Sequence, residues 1–395
     1  MLNIINIFLF FISPFLALPS VLYGFINKSK FNLYLFMLIV GLLSAVYIPH
    51  IENDKARYYE MYENVKMLDI QGFLAYNYLS NLDFLFQFLI YIASINAINI
   101  QYVFFVIAFI TIGLFFNVFL KLFEQKQLRK VDFAFLILLC LFSISIEDIF
   151  SGIRFMLASA IMLNAYYFIS FENKFKKGII LSFVAILVHF SLLIFVFPVI
   201  LMFFLKKHDK LILNLFFVSI LFILIPQSLL IDVFSKIGFS GVLQEKNNAY
   251  LGNEDFVSTS IKEVGEAVRI RYLLYSLWIY VSYIYIYFTR KIKSNFRTIF
   301  LLSFIILNVF WAFPTVFFRY SIFVKIILMC LIIIEFEIVE KRMFKNLFMF
   351  SFFVIFSTQL LLMRYNFEAS YLKRNVFYLY DFLASDPIKE YDFLK

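Results

Sequence analysis

Apolar residues run along this chain in blocks near 3–25, 32–49, 100–120, 132–149, 153–170, 211–231, 268–289, 298–317, 320–339 and 346–363. A helix rising about 1.5 Å per residue needs roughly 20 predominantly apolar residues to cross a hydrocarbon core of about 30 Å. Most of these blocks meet that length, and the pattern predicts membrane-spanning helices from end to end. Two segments break it. Residues 82–95 are apolar for about half the usual length. The run 179–205 has 27 residues, which as one helix would measure roughly 40 Å.

The polar punctuation sets direction, because Lys and Arg resist translocation. Five basic clusters stand out: Lys121/Lys126/Arg129/Lys130, Lys174/Lys176/Lys177, Lys206/Lys207/Lys210, Arg290/Lys291/Lys293/Arg297 and Lys341/Arg342/Lys345. The two longest loops, 50–80 and 232–267, instead carry more Asp and Glu than Lys and Arg. All five clusters are expected in the cytoplasm and both loops outside. Both ends of 179–205 then abut Lys clusters on one side, so this run enters the membrane and returns, with His189 near its turn. By the same logic only one crossing fits between loop 50–80 and Lys121. Residues 100–120 take it, leaving 82–95 re-entrant or interfacial. The block 3–25 reads as one retained helix with the N-terminus outside and Lys28 and Lys30 inside.

Composition narrows the class without changing this picture. The 395 residues are 63% apolar and 15% charged, with mean hydropathy +0.90, too apolar for a soluble domain. The net charge of +9 is the Lys/Arg surplus of cytoplasmic loops, and no nucleic-acid partner need be invoked. The reading is an all-α polytopic membrane protein with roughly 10–12 transmembrane helices plus re-entrant segments. Residues 1–363 form one integral-membrane domain, and 364–395 an external amphipathic tail containing Tyr371, Lys373, Arg374, Phe377, Tyr378 and Asp381. Cys140 and Cys330 sit in apolar runs as small buried hydrophobes. No Walker loop, GxGxxG, HExxH or CxxC motif is present, and neither a metal nor a cofactor is expected.

Ionisable residues within apolar segments are the candidate chemistry, since each is costly in lipid. Arg154, in Ser151-Gly152-Ile153-Arg154, opens a helix whose Ala158, Ser159 and Ala160 let a neighbour approach closely. It can grip a phosphate in two-pronged fashion, snorkel to headgroups, or pair with Glu147 or Asp148. Arg319, in Phe317-Phe318-Arg319-Tyr320, sits between two apolar runs with almost no loop, as a second arm of a diphosphate clamp or an interfacial anchor. His189 is the one histidine within an apolar run, either structural or, with an ordinary pKa of about 6.5, suited to proton transfer. In the first external loop, Asp54, Tyr58 and Tyr62 are spaced four apart and share a helical face, a sugar-binding palette or a solvated amphipathic surface. Asp83 is a helix cap or a site residue. Arg269 and Arg271 read as topology determinants.

Together these residues resemble the Wzy-type polysaccharide polymerases, in the EpsG-like branch. The specific stretch is 151–191: Gly-Ile-Arg opening a helix, alanines one turn on, Tyr166, Tyr167 and Phe168 at its end, a Lys-rich turn, then His189-Phe190-Ser191. The Asp54…Tyr58…Tyr62 loop is similar to the family's acidic-aromatic loop, with Lys55 in place of the usual aromatic. Asn81-Leu82-Asp83-Phe84 loosely resembles its Asp/Glu-Pro-Gly-Phe/Tyr segment without the Pro and Gly, and Phe318-Arg319-Tyr320 its late Arg-aromatic.

The resemblance implies a GT-C-like membrane glycosyltransferase architecture in the bacterial inner membrane. It implies transfer of a growing glycan from undecaprenyl diphosphate onto a lipid-linked oligosaccharide repeat unit at the outer face. His189 or Asp54 would serve as base, Arg154 and Arg319 would hold the diphosphate, and Tyr58 and Tyr62 would hold sugar. The partners are the undecaprenyl-diphosphate-linked oligosaccharide, membrane lipid and a chain-length regulator protein. An O-antigen ligase, which keeps its site in a larger late external loop, ranks second. A lipid-linked oligosaccharide flippase, which needs deep paired cations, ranks third.

Overall fold

The computed structural model describes the chain except residues 1, 52, 81–82, 206–207, 236–265, 340–341, 372–376, 384–385, 390–391 and 395. The expected loop 232–267 therefore lies almost wholly outside the described residues. The helices in chain order are α1 Leu2–Ile12, α2 Pro14–Ile26, α3 Lys30–Val46, α4 Asp54–Val65, α5 Ile70–Ser80, α6 Phe84–Ile95 and α7 Ile100–Glu124. Next come α8 Lys130–Ser143, α9 Ile146–Ser151, α10 Ile153–Ser170, α11 Phe175–Val188, a 3₁₀ segment Phe190–Val196, and α12 Phe197–Leu205. The rest are α13 Asp209–Val218, a second 3₁₀ segment Ser219–Leu224, α14 Gln227–Ser235, α15 Glu266–Phe288, α16 Asn295–Val309, α17 Pro314–Glu335, α18 Arg342–Tyr371 and the short α19 Leu379–Leu383. The protein is an all-α membrane protein, with no strand among the described residues.

Among the described residues, four helices are long and apolar enough to cross a membrane: α7, α10, α17 and the Met343–Leu362 part of α18. Shorter apolar helices account for the other expected spans, because several apolar runs are interrupted by a backbone break. The block 211–231, for example, gives way to 3₁₀ geometry at Ser219. There Asn308 Nδ2 donates to Ser219 Oγ at 2.8 Å, tying the break to α16.

At the centre stands α10. It is buried on 16 of its 18 residues, as befits a helix apolar on every side. It packs antiparallel to α11, and Gly178 makes the approach close. A Cβ there would crowd the Ile169 side chain and come within 3.1 Å of the Ala165 carbonyl.

The basic clusters do converge on one end of the bundle. Lys121 pairs with Glu172 at 3.4 Å, Lys126 with Glu337 at 3.6 Å and Lys293 with Asp209 at 3.0 Å. We call this the basic end and the opposite one the distal end. The run 179–205 turns back as its flanking lysines require, for the rings of Phe175 and Phe203 meet at 5.3 Å. Likewise α6 does not cross. At its start Asp83 meets Arg154, and near its end Ser94 Oγ donates to the Tyr62 carbonyl at 2.7 Å, beside Gln101, whose Nε2 donates to Ala45 at the distal end of α3.

One expectation is corrected. The block 3–25 is not one helix. It breaks at Ser13-Pro14, where Ser13 caps α2 and Pro14 occupies its first turn, a position that favours starting a helix and not continuing one. α1 and α2 fold against each other, with Ser20 Oγ donating to Asn6 Oδ1 and Asn32 Nδ2 to Asn3 Oδ1 at 3.0 Å. The N-terminal residues thus lie at the end occupied by Lys28 and Lys30, not across from it. Within the expected tail, α18 runs on to Tyr371, and Ile388, Phe393 and Leu394 lie against the protein. Leu394 N–H donates to the Pro49 carbonyl at 3.0 Å, and Ile388 and Phe393 bury against Ile48 and Ala56.

Candidate functional site

His189 ends α11 in an extended conformation, φ −152° and ψ 108°, at the turn of the hairpin. Because α11 climbs the whole length of α10, its end reaches the level where α10 begins, and the His189 ring packs edge-on against Phe155 at 5.8 Å. The next residue of α10's first turn, Arg154, faces the same place. Asp83, 2% exposed, joins them from the start of α6.

Asp83 organises the group. Its Oδ2 accepts from Arg154 Nη1 at 2.8 Å and lies 3.1 Å from His189 Nδ1, and its Oδ1 accepts the Phe190 N–H at 2.8 Å. Asp83 occupies the N-cap position of α6 but makes no side-chain cap hydrogen bond, so its carboxylate is spent on the site and not on its own helix. An ionised carboxylate only accepts. The Nδ1 facing it therefore carries the imidazole proton, and Nε2 carries the lone pair. That Nε2 is buried with no hydrogen-bond partner, as is Arg154 Nε.

A second carboxylate approaches from α4. Asp54 Oδ2 lies 3.9 Å from Arg154 Nη2 and its Oδ1 lies 3.6 Å from Arg57. The Arg154 guanidinium sits 5.1 Å over the Tyr58 ring, which packs against Phe86 at 4.8 Å. Arg154 is thus held by two acids, Asp83 and Asp54, and a ring, and among the described residues it pairs with neither Glu147 nor Asp148.

Lys55 explains why α4 stands where it does. Fully buried, its ammonium donates to the Ser44 carbonyl and, at 3.1 Å, to the Tyr47 carbonyl, and lies 4.7 Å from the Phe104 centroid. A cation at the C-terminal end of α3 is favoured by the helix dipole. It pins the first turn of α4, and with it Asp54, to the distal end.

The remaining candidates fall out as follows. Tyr62 hydroxyl donates to the Ile98 carbonyl at 2.9 Å. Tyr58 and Tyr62 are both buried, so the sugar stacking expected of them has no open ring face here. Arg319 lies in the second turn of α17 and not in a tight connection, because Pro314 starts that helix five residues earlier. It is half-buried and within electrostatic reach of both His189 and Asp148. Its neighbour Tyr320 donates to the Ser191 carbonyl at 3.4 Å, tying α17 to the hairpin turn.

Asp54, Asp83, Arg154, His189 and Arg319 thus gather around the hairpin turn from five separate elements. Sequence reasoning undervalued one of them, Asp83. Its available signal was a lone acid heading an apolar segment too short to span.

Searches of curated proteins and of solved structures each return no match. The EpsG family model matches residues 33–380, a stretch that contains every residue of the site. On that match over most of its length, the chain belongs to the EpsG family, as a Wzy-type polymerase-like membrane protein of polysaccharide biosynthesis.

Proposed function

We propose that the protein is a polysaccharide polymerase that transfers a growing glycan from undecaprenyl diphosphate onto a lipid-linked oligosaccharide repeat unit at the distal, outward face of the bacterial plasma membrane. The observation that carries the reading is the Asp83–His189 pair. A carboxylate on Nδ1 fixes the tautomer and leaves a lone pair on an Nε2 that has no partner within the protein. This is the arrangement of an oriented general base.

In the reaction, the acceptor hydroxyl oxygen bonds to the anomeric carbon of the donor glycan and its proton passes to His189 Nε2. The bond from that carbon to the diphosphate oxygen breaks with its electron pair, and undecaprenyl diphosphate leaves. Arg154 and Arg319 stabilise the departing diphosphate, the former through the Nε not committed to a carboxylate. Asp54, partly exposed beside them, orients the acceptor hydroxyl. Asp83 is a positioning residue acting through His189. Tyr58 shapes the site by seating Arg154 and Tyr62 by fixing α4, with neither stacking on sugar.

The test is polymer synthesis by the purified protein supplied with lipid-linked repeat units. A ladder of lipid-linked products is expected, absent with His189→Ala. Addition of finished chains to a different lipid acceptor without elongation would mean a ligase. Translocation without any new glycosidic bond would mean a flippase.

A further inference from the structure

The basic end holds a recess that the site does not use. It opens where α13 and α16 both begin. Lys210, Arg290 and Lys293 line it, and the buried Arg297 forms part of its wall. Asp209 is the acid among the lining residues, and Lys293 takes it at 3.0 Å. Lys210 and Arg290 are exposed and have no carboxylate partner among the described residues. Four other cations at this end are answered by acids, Lys121 and Lys174 by Glu172, Lys126 by Glu337 and Arg129 by Asp132, while among the described residues Lys130, Lys176 and Lys177 are not. Arg290 is also held in place, its guanidinium 5.0 Å from the Tyr287 centroid.

Below this cationic rim the lining turns apolar, with Ile212 and Leu213 of α13 facing Leu301 of α16. The first turn of α16 adds the positive end of a 15-residue helix. A rim with two spare cations above an apolar wall, set between two helices at the basic end, matches a phosphate that carries a hydrocarbon tail. Inorganic phosphate would leave the apolar wall unused.

We propose that this recess binds the phosphate headgroup of an anionic membrane lipid, with the phosphate between Lys210 and Arg290 and a chain along Leu213 and Leu301. The site is independent of the transfer centre, which lies at the distal end.

The test uses the full chain in phosphatidylcholine nanodiscs or micelles, with phosphatidylglycerol as probe and bound lipid counted by native mass spectrometry. Phosphatidylglycerol is expected to bind in preference to phosphatidylcholine. The double variant Lys210→Gln/Arg290→Gln is expected to weaken that binding by on the order of tenfold. Both residues are exposed, and an unchanged gel-filtration profile checks that the variant folds. A control variant, Lys176→Gln/Lys177→Gln, removes equal charge from the same end and is expected to bind as the parent does. Equal loss in the control, no preference for the anionic lipid, or displacement by inorganic phosphate at matched concentration would each overturn the assignment.

Discussion

Two buried ion clusters face each other across the bundle, and they are built differently. At the basic end Glu335, fully buried, accepts from Arg297 Nη1 at 2.6 Å and from the Tyr285 hydroxyl at 3.0 Å. Arg297 further donates to Thr289 Oγ1 at 3.1 Å and the Ile286 carbonyl at 3.3 Å. No side-chain atom of that cluster is buried without a partner. At the distal end Asp83 is equally well satisfied, yet His189 Nε2 and Arg154 Nε are not. A buried polar atom left unpaired costs free energy, typically about 1–3 kcal/mol, and persists where the fold gains something else from it. The closed cluster staples the ends of α15, α16 and α17. The open one leaves an acceptor, His189 Nε2, and a donor, Arg154 Nε, without a protein partner.

Changes that break this contrast most strongly come first. His189→Ala is expected to cut polymer formation by roughly 10²–10⁴-fold while the protein inserts and melts as the parent does. Purified-component assays alongside thermal unfolding check both halves. Normal turnover in His189→Ala beside an inactive Asp54→Asn would move the base to Asp54.

Arg297→Met is expected to do the opposite. It strands Glu335 and should cost about 3–5 kcal/mol of stability, read as a lowered unfolding midpoint in detergent. The double variant Arg297→Met/Glu335→Leu should recover most of that loss, because an apolar pair needs no compensating charge. At the distal end the analogous removal of both Asp83 and Arg154 charges should restore no turnover. Recovery of activity there would make the open cluster merely structural.

Smaller effects sharpen the comparison. Arg154→Lys keeps the charge but loses the planar fork that reaches Asp83, Asp54 and the Tyr58 face together, so turnover should fall at least about tenfold with little change in melting. Wild-type chain lengths in that variant would defeat the diphosphate role. Asp54→Asn is the mildest. Its 3.9 Å contact with Arg154 is partly exposed, worth under about 1 kcal/mol to stability, so the midpoint should hold while the KM for the acceptor unit rises several-fold.

Much of this was legible in the chain. Lysine clusters at both ends of one apolar run force the run to turn back, and its single histidine, His189, stands at that turn. Arg154 was legible because charge at the head of an apolar helix demands a reason. Asp83 was harder. Its partners lie 71 and 106 residues away in sequence, and no periodicity connects them. Arg297 was counted with its neighbours as a topology signal, although a helix that puts it 3% exposed against Glu335 uses it as an internal tie. The Ser13-Pro14 break was written in residue types that favour a helix start, but the length of the apolar block outweighed them.

The return of Ile388, Phe393 and Leu394 onto the segment around His50 bears on how the molecule is made. Ile388 N–H donates to Gln101 Oε1 across 287 residues, and the Ile51 N–H donates to Leu394. A helix pair such as α1 and α2 can settle as soon as it leaves the ribosome, but these contacts must wait for almost the whole chain to be synthesised. The face of α4 that carries Ala56 and Tyr59 therefore reaches its final packing only after residues 388–394 have been made.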